Sequence, residues 1–126
     1  MTEQTPRADE RIIAEVGSWP DVELADHRFG GVAFIVGRRE IGHLHGDRLC
    51  DLALPKDVRA EYLAAGRITP HNALPDHPGL ASVRLRQPGA VETAIELLRL
   101  NYDRAVARLR AREGAADEAE ARAGAA

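Results

Sequence analysis

Two of the five histidines stand two residues apart, within the segment EIGHLHGD at residues 40–47. On an extended strand, side chains at positions i and i+2 project from the same face, so His43 and His45 should point the same way, together with Ile41. Neighbouring imidazoles can bind a metal ion, transfer protons or hold a polar ligand. They are costly to bury unless they are hydrogen-bonded, ligated or open to a cavity. The spacing therefore predicts a binding or catalytic site on this strand.

Polar residues on three later segments could complete this site. Asp51 lies on the next predicted strand, and His71 lies in a proline-rich loop that can fold back over a sheet edge. Ser82 and Arg84 alternate with apolar residues, so they should share the polar face of a later strand. An arginine there could balance the charge of an anionic substrate. The candidate catalytic residues are His43, His45 and His71, and the candidate substrate-binding residues are Arg84, Ser82 and Asp51.

A metal centre is the alternative chemistry for this segment. A His-x-His pair plus a carboxylate can bind zinc, iron or another transition metal, and Asp47 would complete the set His43, His45 and Asp47. However, Asp47 follows Gly46, and pairs of glycine and aspartate are typical of hairpin turns. A turn is the simpler interpretation of Asp47. We therefore expect no bound metal and keep a His-ligated metalloprotein as the alternative.

The elements that must position these residues are predicted from the periodicity of apolar residues. Four strands joined by tight turns are expected between residues 21 and 54, and a fifth over residues 80–86. An N-terminal helix, a middle helix after Pro55 and a long C-terminal helix complete the fold, with residues 68–79 as a proline-rich loop. Grouped strands with helices outside them indicate an α+β fold with an antiparallel sheet of about five strands. The long helix should cover the apolar face, leaving the histidines on the other.

Length and composition indicate a single-domain protein and disfavour nucleic-acid and membrane partners. A chain of 126 residues fits one domain, which we place at residues 9–112, between a flexible N-terminus (residues 1–8) and a disordered Ala/Glu/Arg-rich tail (residues 113–126). The formal net charge of −3 disfavours nucleic acid as a partner. One cysteine, and no apolar run of signal-peptide or membrane-spanning length, predict a cytoplasmic protein with no membrane partner.

The run GRREIGHLHGD at residues 37–47 resembles the signature of the luciferase-domain family. This family comprises small bacterial proteins and a distant branch with the luciferases of luminous fungi. The resemblance continues through residues 51–55, 65–67, 70–71, 81–85 and 94–102. The fungal relatives oxidise a hydroxylated pyrone with molecular oxygen, so the resemblance implies an oxygenase-like oxidoreductase without a bound cofactor. It further implies that His43, His45 and His71 deprotonate and hold an enol or phenol that reacts with oxygen.

The residues support three hypotheses about function. The first is a histidine-lined pocket for a small molecule, in which His43 or His45 is the general base and Arg84 balances negative charge. The second is a non-catalytic binding module such as a homodimer, because the strand at residues 32–36 is apolar on both faces and needs cover. The third is the His-ligated metalloprotein.

Overall fold

Three helices and six strands make up the part of the chain that the computed structural model describes, residues 5–26 and 30–124. The six strands form one antiparallel sheet in the order β1-β2-β3-β4-β6-β5. This arrangement confirms the predicted α+β domain, and the additional strand is the two-residue β5 within the predicted proline-rich loop. The elements in chain order are α1 (Ala8–Val16), β1 (Val22–Asp26), β2 (Val32–Val36), β3 (Arg39–His45), β4 (Leu49–Ala53), α2 (Lys56–Ala64), β5 (Thr69–Pro70), β6 (Leu80–Arg84) and α3 (Ala90–Gly124).

One face of the sheet packs against α3, α1 packs against α3, and side chains of all three form the hydrophobic core. Helix α3 crosses β3 at Gly42, where an added Cβ would lie only 2.5 Å from a Leu98 methyl carbon. The Asn101 side-chain amide donates to the carbonyls of Ile41 (3.0 Å) and Ala53 (2.8 Å), which fixes the helix against β3 and β4. Because the helices cover this face, the opposite face of the sheet is left for polar side chains.

Strand β3 contains a β-bulge at Ile41. The register pairs Phe34 with Gly42 and Ile35 with Glu40, so Ile41 is one extra residue on β3. The bulge reverses the alternation of side chains, and Ile41 enters the core instead of sharing the histidine face as the spacing predicted. Glu40 lies on the histidine face for the same reason. The bulge therefore decides which side chains surround His43.

The last helix is longer than the sequence analysis predicted. Residues 113–124, predicted as part of a disordered tail, continue α3 to Gly124 with every side chain exposed, while residues 125–126 lie outside the described chain. Alanine, glutamate and arginine are strong helix formers, so the helix continues without packing.

At the N-terminal end of the chain, residues 1–4 of the predicted flexible N-terminus also lie outside the described residues, and α1 begins at Ala8. Within the described ranges, no helix has an apolar stretch long enough to cross a bilayer.

Candidate active site

A row of polar residues crosses the sheet face opposite α3. His43 on β3 is directly opposite Asp51 on β4, Asp51 is opposite Ser82 on β6, and Ser82 is opposite Thr69 on β5. Directly opposite residues of antiparallel strands share one face and lie about 5 Å apart. His45 follows two residues after His43 on the same face. The sheet register thus brings together side chains that are up to 39 residues apart in sequence, from His43 to Ser82.

The Asp51 carboxylate is the centre of this row, with only 3% of the residue exposed. Its Oδ2 atom lies 2.9 Å from Nε2 of His45, 3.4 Å from Nε2 of His71 and 3.6 Å from Nε2 of His43. Its Oδ1 atom accepts a 2.5 Å hydrogen bond from the Ser82 hydroxyl. Burial raises the pKa of Asp51, but the nearby His43 ring and the hydrogen bond from Ser82 lower that pKa by more, to below its usual value. The carboxylate is therefore ionised at neutral pH.

His43 lies between two carboxylates. Its Nδ1–H donates to Oε2 of Glu40 at 2.9 Å, and its Nε2 atom faces Asp51. These two interactions, Asp51 first and Glu40 second, outweigh burial and raise the pKa of His43 to about 9. The Nε2 atoms of His43 and His45 are 3.2 Å apart, with the rings edge to face at 80°. When no metal ion is bound, His43 is therefore an imidazolium at neutral pH.

The loop holds His71 with its ring N–H toward Asp51. Its Nδ1 atom accepts the backbone N–H groups of Ala73 (3.2 Å) and Leu74 (3.0 Å). An imidazole nitrogen that accepts two amides carries no proton, so the proton of the neutral ring is on Nε2, the atom that faces Asp51. The backbone N–H of Asn72 donates to Oγ of Ser82 at 3.0 Å, which ties the loop of residues 71–74 to the polar row.

A cavity of about 350 Å³ opens beside these side chains, and we call it the histidine cavity. Its volume is within the range of small-molecule sites. Arg48 places a guanidinium at the cavity; the sequence analysis did not single it out because a residue beside a turn gives no periodic signal. The cavity is lined by His43, His45, Arg48, Leu49, Asp51, His71, Asn72 and Ala73.

Five of the six candidate residues lie together beside the histidine cavity, and the sixth lies outside it. His43, His45, His71, Asp51 and Ser82 form the cluster described above. Arg84 is on the same face, opposite Leu49, but it lines the neighbouring cavities instead.

The carboxylate considered for a metal lies elsewhere. Asp47 is at the turn, with Oδ1 3.4 Å from Nη2 of Arg86. Among the residues that the structure describes, a group whose ligand atoms all lie within 4.8 Å of one another consists of His43, His45 and Asp51. Asp51 thus occupies the place that the metal alternative gave to Asp47.

Glu40 is the site residue that the spacing analysis missed. In an uninterrupted strand, residues three apart project from opposite faces, so Glu40 would face the core and Ile41 would face the cavity. A charged side chain on the core face and an apolar one on the polar face would both be unfavourable, and this mismatch indicates a bulge.

Comparison with known proteins identifies the family. The family model of the luciferase domain matches residues 38–101, which is just over half of the chain and contains every residue of the cluster. No curated protein and no solved structure gave a significant match. The matched segment runs from the turn before β3 into the first turns of α3, so it includes the bulge, the polar row and the loop of His71. The chain belongs to the luciferase-domain family.

Proposed function

We propose that this protein is an oxygenase-like enzyme that binds a small enolic or phenolic compound in the histidine cavity and deprotonates it for reaction with molecular oxygen. The observation that supports the proposal best is the convergence of three histidines and one ionised carboxylate on a single open cavity. Perturbed ionisable groups that meet in a cleft are typical of catalytic sites. Membership of the luciferase-domain family points in the same direction.

The hydrogen bonds within the cluster suggest a division of roles. His71 cannot accept a proton on Nδ1 while two backbone amides donate to that atom, so it serves as a donor. In the metal-free protein His45 is the candidate base, because Asp51 lies 2.9 Å from its Nε2 and can stabilise the imidazolium that forms. Arg48 lines the cavity and takes the charge-balancing role that the sequence analysis gave to Arg84.

The proposed reaction adds both atoms of oxygen to the substrate. The substrate hydroxyl gives its proton to the base, and the resulting enolate or phenolate is held by Arg48. The electron-rich ring carbon then reduces O2 and forms a carbon–oxygen bond. The proton returns from the base to the outer oxygen, so the product is a hydroperoxide with the composition of substrate plus O2. A cavity of about 350 Å³ suits a compound of one or two rings.

The experiment uses 4-nitrocatechol and a hydroxylated pyrone as probes. Binding of 4-nitrocatechol as its anion changes its visible absorbance, and oxygen uptake with the pyrone is followed with an electrode. We expect wild-type protein to bind both probes as anions and to consume oxygen with the pyrone. His45→Ala and Arg48→Ala should bind both probes more weakly and lose oxygen uptake with the pyrone.

The matched control is His77→Ala, because His77 is an exposed histidine on the same loop as His71 but outside the cavity. This variant should behave like the wild type. Equal probe binding in wild type and His45→Ala would refute the proposed cavity. Binding of both probes without oxygen uptake would refute the oxygenase chemistry.

A further inference from the structure

We propose that His43, His45 and Asp51 bind one divalent first-row transition-metal ion at the inner end of the histidine cavity. This inference deepens the proposed function, on which it rests for the identification of the cavity as the active site. It replaces our expectation of no bound metal, and the ligand set differs from the one considered from sequence, with Asp51 in place of Asp47.

The separations of the three ligand atoms suit a single ion. They are 3.2 Å between the two Nε2 atoms, 2.9 Å from His45 Nε2 to Asp51 Oδ2, and 3.6 Å from His43 Nε2 to the same oxygen. Metal bonds of about 2.0–2.1 Å in tetrahedral or octahedral geometry require ligand atoms about 2.9–3.4 Å apart. The observed values span this range, with the longest slightly above it, so small ring rotations suffice.

The groups behind the three ligands hold them in place. A histidine that binds a metal through one nitrogen commonly donates its other N–H to a carboxylate, and Glu40 accepts from Nδ1 of His43 in this way. The Ser82 hydroxyl donates to Oδ1 of Asp51, which leaves Oδ2 directed at the two imidazoles. The bulge at Ile41 places Glu40 on this face. Bulges next to active sites commonly re-aim side chains in this manner.

Within the part of the chain that the structure describes, three side chains supply ligand atoms, and His71 does not supply a fourth. The Nε2 atom of His71 carries the ring proton, because its Nδ1 accepts two amides of the loop. His71 therefore presents its ring N–H to the carboxylate that binds the metal, with Nε2 3.4 Å from Oδ2 of Asp51. Two imidazoles and one carboxylate form the ligand set of several zinc enzymes and of non-haem iron(II) oxygenases, which keep coordination positions open for substrate. Here the open positions would face the cavity, where a substrate oxygen could bind. With the ion bound, His45 would be a ligand, and the ion in place of His45 would favour the deprotonated form of the substrate.

Cobalt(II) is the probe for this site, because its visible absorption reports binding and ligand geometry. Protein without an affinity tag is stripped with a chelator and titrated with cobalt(II) under argon, and zinc(II) and iron(II) are then tested by competition. We expect saturation at one equivalent. Glu40→Gln should weaken binding by about 10–100-fold, and Asp51→Asn should weaken it beyond that range.

Asp47→Asn is the matched control, because it removes a carboxylate at the neighbouring turn without touching the cluster. It should bind cobalt(II) as the wild type does. Asp51→Asn keeps the shape of the side chain, and circular dichroism checks that it folds; if it does not, His45→Gln replaces it. Absence of a cobalt(II) spectrum, or equal affinity in wild type and the ligand variant, would overturn the inference.

Binding of 4-nitrocatechol to the metal-free protein separates this inference from the proposed function. If metal-free protein binds the probe and cobalt(II) does not bind, the metal site is refuted and the proposed cavity stands. If cobalt(II) binds at one equivalent and neither form binds the probe, the metal site stands and the proposed function is refuted.

Discussion

Replacing Ser82 with alanine should destabilise the protein, because its hydroxyl is the direct hydrogen-bond donor to the buried Asp51 carboxylate. Ser82 is fully buried, and it donates to Oδ1 of Asp51 at 2.5 Å. Hydrogen bonds to charged groups contribute about 1.5–3 kcal/mol. The variant also removes the acceptor for the Asn72 N–H, but Asn72 is exposed and water can replace that bond at little cost. We therefore expect the free energy of unfolding to fall by about 2–3 kcal/mol.

Urea denaturation followed by circular dichroism measures this change. Ser18→Ala is the matched control, since the Ser18 hydroxyl donates to the Glu15 carbonyl at 2.6 Å in an exposed turn. Its effect should be about 0.5 kcal/mol or less. Hydrogen exchange at Ala73 and Leu74 should also accelerate in Ser82→Ala, because the loop loses its bond to the polar row. A loss in Ser82→Ala no larger than that of the control would refute the argument that Ser82 holds the carboxylate.

Three further perturbations test the remaining features. The His43 pKa of about 9 exceeds the unfolded value near 6.5, so its stabilisation is complete below pH about 6.5. That stabilisation, at most about 3 kcal/mol in metal-free protein, should disappear as the pH rises through 9, and His43→Gln should remove the slope in urea denaturation. Gly42→Ala should cost about 1–3 kcal/mol in the same assay because its Cβ would collide with Leu98, whereas Gly114→Ala, in open space, should stabilise the helix slightly. Removing residues 113–126 should lower helical ellipticity without lowering the melting temperature, because the described part of that segment is wholly exposed.

The sequence predicted the elements and most of the site because both depend on local periodicity. A period of two placed His43 and His45 together, and the same alternation placed Ser82 on the polar face. Asp51 was identified as a neighbour because β4 follows β3 through a tight turn. The contacts to His71 depend on two backbone amides in an irregular loop. No pattern of side chains records those contacts, so the role of His71 as a donor could not be read from the sequence.

Two other features differ from prediction, each for a different physical reason. Arg84 is on the predicted face, but it lies opposite Leu49, one row away from the pair of Asp51 and Ser82, and this offset removes it from the cavity. The segment at residues 113–124 lacks large apolar residues, which indicated disorder. Its alanine, glutamate and arginine content nevertheless favours a helix that extends from a packed one, where nucleation has already occurred.

The bulge at Ile41 resolves a conflict in the sequence of β3, and the site follows from that resolution. Uninterrupted alternation would bury the Glu40 carboxylate in the core and expose Ile41 on the polar face. An unpaired buried carboxylate costs several kcal/mol, and leaving isoleucine exposed forfeits about 1.5–3 kcal/mol. One extra residue avoids both losses, and it brings Glu40 within 2.9 Å of His43. The hydrophobic core therefore selects the same backbone irregularity that orients His43, so stability and the geometry of the site favour one conformation of the strand.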